Sequence, residues 1–452
     1  MHPLGILLVS IVAVLFLIIR MKINAFLALI GVAILIGLLS PEIAITDVMK
    51  QVGDRFGNVV GRIGIVILTA AIVGQCLMES GAADRITRVF VRAIGERRAS
   101  LSMTVTGFVL SIPVFADTVF YLLIPLARAM CVRMGGRDYM LLTMAISAGA
   151  SSTHAFVPPT PGPLAGAAIL GVDVGLTILV GIGIAAVAST TGWLYAAWAN
   201  RTMPIEIRET PGVPVSELRE IAAKPDSELP GFWLSMSPIL LPVLLISVNT
   251  AAGTLAKGST FARWMTFFGD ASFALLLAAV ISVWILARQK SLSLAALARP
   301  IEEAMNSAGM IILITAGGGA FGGMLEAAGV GKSLGAIAQQ FGVSLVVLAF
   351  VVAVLFKIAQ GSGTVAMITG SSITAALAAA TPPTCHPVYL VMAVACGSMT
   401  GSWMNDSGFW VYRSMTGLTE METLKTRSVL MSVMGVSGFL VTLAASVLVP
   451  LR

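Results

Sequence analysis

Apolar runs of roughly 18 residues or more recur from one end of the chain to the other, and no other feature constrains its fold as much. Such a run crosses hydrocarbon as a helix, because in lipid a segment must satisfy its own backbone N–H and C=O groups. Charged residues are 11% of the 452 and hydrophobic residues 57%, a balance that excludes two or three soluble domains. The 45 glycines and 20 prolines fit a membrane bundle with interrupted helices. A net charge of +6 could point to nucleic acid, but the basic residues stand between apolar runs, where membrane topology accounts for them. Cys76, Cys131, Cys385 and Cys396 have no CxxC spacing and read as small packing residues, so no metal or disulfide is expected.

One interruption organises the rest. Residues 343–356 and 365–380 are apolar, and between them Lys357-Ile-Ala-Gln-Gly-Ser-Gly-Thr364 puts a charge, an amide, hydroxyls and glycines at membrane depth. Irregular backbone survives there only where protein or a water-filled cavity satisfies it. Residues 343–380 therefore read as a re-entrant hairpin with this polar stretch at its tip. Gly361 and Gly363 let backbone amides approach a ligand, while Gln360, Ser362 and Thr364 supply side-chain donors and acceptors. A tip of this kind is where a transporter would hold an anion.

The other segments follow from length and charge. Residues 4–19 form a span that ends at Arg20 and Lys22, 26–39 return, 41–61 form an outside loop and 63–78 span inward. Residues 82–98 carry Asp84, Arg85, Arg88 and Arg92 beside Ile86, Val89, Phe90 and Ile94, the pattern of an amphipathic surface helix. Residues 101–130 are broken at Ser111-Ile-Pro-Val-Phe-Ala-Asp-Thr118 and flanked by Arg97, Arg98, Arg133 and Arg137, so they read as a hairpin entering from the cytoplasm. Residues 139–171 form a helix broken over 150–163, 174–199 return, and 200–230 form a polar cytoplasmic linker. Spans 232–248 and 267–286 make a pair, 301–324 run outward, and 326–340 lie on the outer surface. The hairpin 343–380 enters from outside, 387–410 form a helix broken near 400–408, and 429–449 make the last span. About twenty of the 28 Lys and Arg then face the cytoplasm.

Three anchors recur in order. Ile67-Leu-Thr-Ala70 with Glu79 resembles Leu313-Ile-Thr-Ala316 with Glu326. Ile112, Thr118 and Val119 match Ile358, Thr364 and Val365, and Met144-Ala-Ile-Ser-Ala-Gly149 matches Met392-Ala-Val-Ala-Cys-Gly397. The expected fold is an all-α polytopic membrane protein with two inverted-topology repeats, residues 63–199 and 301–452, and scaffold spans over 1–62 and 231–300. Inverted repeats with paired broken segments point to a midplane substrate site and alternating access.

The polar groups at those breaks are the candidate site. Asp117 sits at the first hairpin tip beside Thr118, and a carboxylate near the bilayer centre costs about 2.5–3.5 kcal/mol. It is expected to face a cavity and to carry a proton or bind a substrate hydroxyl. Lys357 either attracts a substrate carboxylate or snorkels to the outer interface. His154 falls in Ser151-Ser-Thr-His-Ala-Phe-Val-Pro-Pro-Thr-Pro-Gly-Pro163, where the prolines favour its cavity exposure as a substrate or proton ligand, and Ser152 in the same stretch is a further substrate-binding candidate. In the second break Asn405 and Ser407 can hydrogen-bond a polyol, and Asp406 can cap the next half-helix or bind a proton. Glu79 and Glu326 read as helix-end residues.

These motifs closely resemble the gluconate:proton symporter (gluconate permease) family within the wider ion transporter superfamily. The carriers are Ile112-Pro-Val-Phe-Ala-Asp117, His154-Ala-Phe-Val-Pro-Pro159, Pro161-Gly-Pro163, Gln360-Gly-Ser-Gly-Thr-Val-Ala366, Asn405-Asp-Ser-Gly-Phe-Trp410 and Thr419-Glu-Met-Glu-Thr-Leu-Lys-Thr426, spread over nearly the whole chain. The resemblance implies uptake of a sugar acid such as gluconate across the bacterial inner membrane, driven by protons; the sequence leaves Na⁺ open as the coupling ion, and no cofactor is expected. It also implies a homodimer in which a scaffold carries an elevator-like transport domain. Thr160 stands where many members have histidine, and Trp403-Met404 precede Asn-Asp where others differ. Those departures leave the substrate open among gluconate, other hexonates, glycerate-like acids and D-serine.

Rival classes find less support. A channel would need a continuous polar pore face, and the polar residues here are isolated tips. An intramembrane enzyme would need a nucleophile–base pair or a metal cluster, which His2, His154 and His386 do not supply. No GxxxxGK[ST] loop supports ATP-driven transport.

Overall fold

The computed structural model describes residues 2–95, 98–134, 136, 138–203, 205, 207–208, 228–293, 295–330, 333 and 344–451. All regular structure among the described residues is helical, and eight helices are long and apolar enough to cross a membrane. Arg97, Arg137, most of the expected linker 200–230 and most of the expected surface segment 326–340 lie outside the described residues.

Helices α1 (Pro3–Leu15) and α2 (Ala25–Leu39) lead into α3 (Val48–Glu79), a single rod of 32 residues. At 1.5 Å per residue it is about 48 Å long, well beyond the bilayer core. The outside loop expected over 41–61 is thus corrected to the short stretch 40–47. Val48, Val52, Val59 and Ile63 recur at helical spacing and are buried, which leaves Asp54, Arg55, Asn58 and Arg62 to the other faces. α4 (Ala82–Ile94) is amphipathic, burying Ala82, Ala83, Ile86 and Val91.

Two helix–break–helix units follow the expected places. The first is α5 (Ala99–Leu110) and α6 (Ala116–Arg133). After α7 (Tyr139–Phe156), α8 (Pro161–Leu170), α9 (Val174–Thr202), α10 (Phe232–Leu255), α11 (Thr260–Phe268), α12 (Ala271–Lys290) and α13 (Ala298–Ala327), the second is α14 (Leu345–Gln360) and α15 (Gly363–Ala380). α5 has 12 residues and α14 has 16. At about 18 and 24 Å, neither reaches across a core of about 30 Å. Each breaks part-way through, where the sequence places its polar tip.

The chain continues through α16 (Val388–Met399), α17 (Ser407–Thr416), the short α18 (Glu420–Thr423), a π-helical turn (Leu424–Ser428) and α19 (Val429–Leu448). α7 and α16 are the central rods. Each residue of α16 is buried, as befits a helix that is apolar all round. Close approach sets their neighbours: a Cβ on Gly149 of α7 would lie 2.0 Å from Thr104 O in α5, and one on Gly397 of α16 would lie 2.4 Å from Phe350 O in α14. The two glycines are the last residues of the third repeated anchor, so in both halves the central rod crosses its break helix through the same sequence position.

The first central break needs correcting. It was expected over 150–163, with His154 inside it. Instead α7 stays helical to Phe156, and the break is residues 157–160, containing the cis bond Pro158–Pro159. Proline restricts its own residue and the one before it, so Pro158 spares the helix through Phe156. The second break, residues 400–406, falls where it was expected.

Candidate functional site

Both hairpin tips, the second central break and the helix ends on either side of the first one meet at one cavity. It measures about 150 Å³ and is lined by Asp117, Ser151, His154, Lys357, Ser362, Gly363, Thr364, Asp406, Ser407 and Arg427, with Phe115, Met367 and Met431 among its apolar walls. Asp117 from the first hairpin unit and Ser362 from the second therefore share a wall, although nearly 250 positions of chain separate them.

The first tip turns through Ser111, whose Oγ donates to Val114 O at 3.0 Å. Asp117 follows in the first turn of α6, where a carboxylate meets the positive end of the helix dipole. Among the described residues it makes no hydrogen bond or ion pair. His154, in the last turn of α7, packs its ring against Phe115 with centroids 5.7 Å apart, and its buried Nδ1 has no partner among the described residues. Such an orphaned atom beside a cavity calls for a ligand or water.

The second tip is tied together. Gly361 closes α14 at φ +81°, and a Cβ there would lie 2.1 Å from Asn405 O, so both backbone angle and space require glycine. Ser362 caps α15, its Oγ accepting from Val365 N. Lys357 is 2% exposed and lies 2.9 Å from Asp406 Oδ2, and it also donates to Gly361 O. The snorkelling alternative for Lys357 is thereby overturned: its ammonium points inward to a carboxylate. Asp406 takes Lys357 and Ser402 Oγ on Oδ2, while Oδ1 accepts from Gly408 N at 2.9 Å and caps α17. A buried pair with its remaining lone pairs filled is the arrangement that tolerates desolvation.

Arg427 completes the wall, and the sequence reading had not singled it out. It sits in the π-helical turn before α19, is 7% exposed, and donates from Nε to Gly408 O at 2.9 Å. Local π-helical turns within helices often mark functional sites. The turn is anchored from below: Thr419 and Glu422 form a capping box, and Arg208 forks onto Glu422 with both bonds at 2.8 Å.

Several expected contributors lie elsewhere. Ser152 is fully buried and donates to Gly149 O at 2.7 Å; Ser151, one residue earlier, faces the cavity instead. Asn405 spends its amide on Ile358 O at 2.8 Å, beside Trp403 Nε1 on the same oxygen at 2.9 Å, so it staples the second break to the second tip. Thr118 and Gly361 stand outside the lining, as does Gln360, whose buried amide atoms have no partner among the described residues. Among the described residues no cluster of His, Cys, Asp and Glu could hold a metal ion.

The charges of the wall balance: two carboxylates, Asp117 and Asp406, face two cations, Lys357 and Arg427. Ionisable groups at such depth face a cavity and one another rather than lipid, and mark substrate or ion pathways.

Comparison with known proteins agrees with a transport role. The family described as GntP family permease matches residues 2–448. A gluconate permease of Pseudomonas aeruginosa is 34% identical over 443 residues, covering 97% of this chain and 96% of that one. The Gnt-II system L-idonate transporter of Escherichia coli is 30% identical, with 98% of each chain covered, and the low-affinity gluconate transporter of the same organism is 30% identical, with 96% of each covered. The crystal structure of the Alcanivorax borkumensis YdaH transporter superposes with a TM-score of 0.63 at 14% identity, covering 97% of this chain and 99% of that one. Neisseria gonorrhoeae MtrF also gives 0.63, at 13% identity, covering 88% of this chain and 83% of that one. At such identities the likeness is one of fold alone.

Proposed function

The chain belongs to the GntP permease family, as a multi-pass protein of the bacterial inner membrane and not an enzyme, and from that premise we propose that it imports gluconate or a related small hydroxy acid together with a proton. The observation that carries this reading is the single cavity where the broken helices converge, with its balanced charges. A neutral site that takes up a monoanion becomes negative, and a proton taken up with it restores the balance. Asp117, with no protein donor among the described residues, is the group free to carry that proton. Asp406 stays committed to Lys357. Ser362, Thr364 and Ser407 offer hydroxyl partners for a polyol. No cofactor is needed for this cycle.

The matched contacts of Gly149 and Gly397 support two related halves, which on this reading lie in opposite orientation. In such an arrangement, rocking or sliding of the unit that holds the site exposes it to each side in turn. An elevator-like motion within a homodimer is the form that the family resemblance suggests.

Cavity size favours a second reading of the substrate. An engineered cavity of about 150 Å³ accommodates benzene, with its six heavy atoms. A three-carbon hydroxy acid fits that volume, whereas a hexonate must extend into the open mouth of the cavity. Uptake by the purified chain in liposomes decides both points. Labelled gluconate should accumulate when the outside is acidified, a protonophore should abolish it, and competition by three- to six-carbon acids should rank them. Accumulation that ignores the protonophore but requires Na⁺ would replace the proton, and absence of uptake for all these acids would sink the reading.

A further inference from the structure

The two cations of the cavity are not equivalent. Lys357 is occupied by Asp406 and Gly361 O. Arg427 is also buried, though at 7% rather than 2% exposed, yet among the described residues its one hydrogen bond is that from Nε to Gly408 O, and it has no ion pair within 4.0 Å. Arg427 lines the cavity, and its Nη donors have no hydrogen bond among the described residues. A buried guanidinium with unfilled donors is costly unless a ligand fills them, and its planar fork matches the two oxygens of a carboxylate. We infer that Arg427 receives the substrate carboxylate through its Nη atoms, an assignment that rests on reading the cavity as a sugar-acid site.

The position of Gly408 shows what else that carboxylate meets. A Cβ on Gly408 would lie 2.0 Å from Arg427 Nη2 and 3.1 Å from Asp117 Oδ1, so the guanidinium and the Asp117 carboxylate are close neighbours over Gly408 without being paired. A carboxylate seated on Arg427 comes up against Asp117, and two carboxylates in such proximity resist both being ionised. The other titratable or charged groups around Asp117 are His154 from α7, Lys357 from α14, Asp406 ahead of α17 and Tyr412 within α17. Lys357 and Asp406 cancel, which leaves Arg427 and the incoming acid to set the local field. Seating the acid on Arg427 thus draws a proton onto Asp117, and Arg427 becomes the residue through which substrate and proton are linked. The polyol end then runs towards Ser362 and Thr364.

Calorimetric titration of the purified chain with gluconate and with uncharged gluconamide tests this. Arg427→Gln should weaken gluconate binding roughly tenfold to a hundredfold and leave gluconamide within about twofold, with Arg427→Lys between the two. Proton uptake on gluconate binding, read from the buffer dependence of the heat, should vanish in Asp117→Asn. If Arg427→Gln does not melt as a folded protein, Arg427→Lys carries the same acid-to-amide comparison. A folded variant with wild-type gluconate affinity would overturn the assignment, and so would equal weakening of both ligands. A wild-type chain that binds no sugar acid would instead defeat the functional reading beneath it.

Discussion

Asp117 and Asp406 line one cavity and are held in opposite ways. Asp406 is boxed in by Lys357, Ser402 and the amide of Gly408, while Asp117 has the dipole end of α6 and no hydrogen bond among the described residues. Fully satisfied polar groups rigidify a site, and unsatisfied ones remain available to a ligand or a proton. The second break is therefore the fixed side of the cavity, and the first tip is the side with chemistry left to do.

The contrast can be broken most severely at its fixed side. Asp406→Asn leaves Lys357 buried without a counter-charge and should cost about 3–5 kcal/mol, read as a large fall in melting temperature in detergent. Adding Lys357→Met should recover most of it. A single variant as stable as wild type would erase the distinction between the two carboxylates. Asp117→Asn should do the reverse, changing stability by no more than about 0.5 kcal/mol while abolishing proton-driven accumulation in liposomes. Full accumulation by that variant would refute the proton-carrying role.

Smaller effects sharpen the picture. Gly408→Ala pushes a methyl against Arg427 and Asp117, and overpacking of this kind should cost about 1–3 kcal/mol of stability, read as a lower melting temperature, with a rise in KM for uptake beside it. Ser151→Ala should raise KM a little. Ser152→Ala should leave KM alone and cost about 1 kcal/mol of stability, since its hydroxyl serves Gly149 O. Equal KM effects from the two serines would mean that the wall of the cavity is drawn wrongly.

Legibility in the sequence followed the surroundings of each residue. Asp117, Lys357 and Asp406 stand out because each interrupts apolar sequence, and lipid tolerates such groups only at a cavity. Arg427 follows directly on Thr419-Glu-Met-Glu-Thr-Leu-Lys-Thr426, a polar stretch that reads as the membrane-facing end of a loop. Only the π-helical turn swings it inward. Ser151 and Ser152 show the same limit on a smaller scale: adjacent helical positions differ by about 100° in direction, and composition cannot choose between them. The loop expected over 41–61 was misplaced because its polar residues concealed a buried helical stripe.

By itself the sequence determined the membrane class, the two interrupted hairpin units and the carboxylates and lysine that had to face a cavity. Those conclusions follow from local free-energy costs, since an apolar run or a charge at membrane depth is costly or favourable wherever its neighbours lie. Tertiary structure alone decided which of these groups are spent on one another. Lys357 with Asp406, Asn405 with Ile358, and Arg427 beside Asp117 are pairings across distant segments, and they depend on how the helices pack.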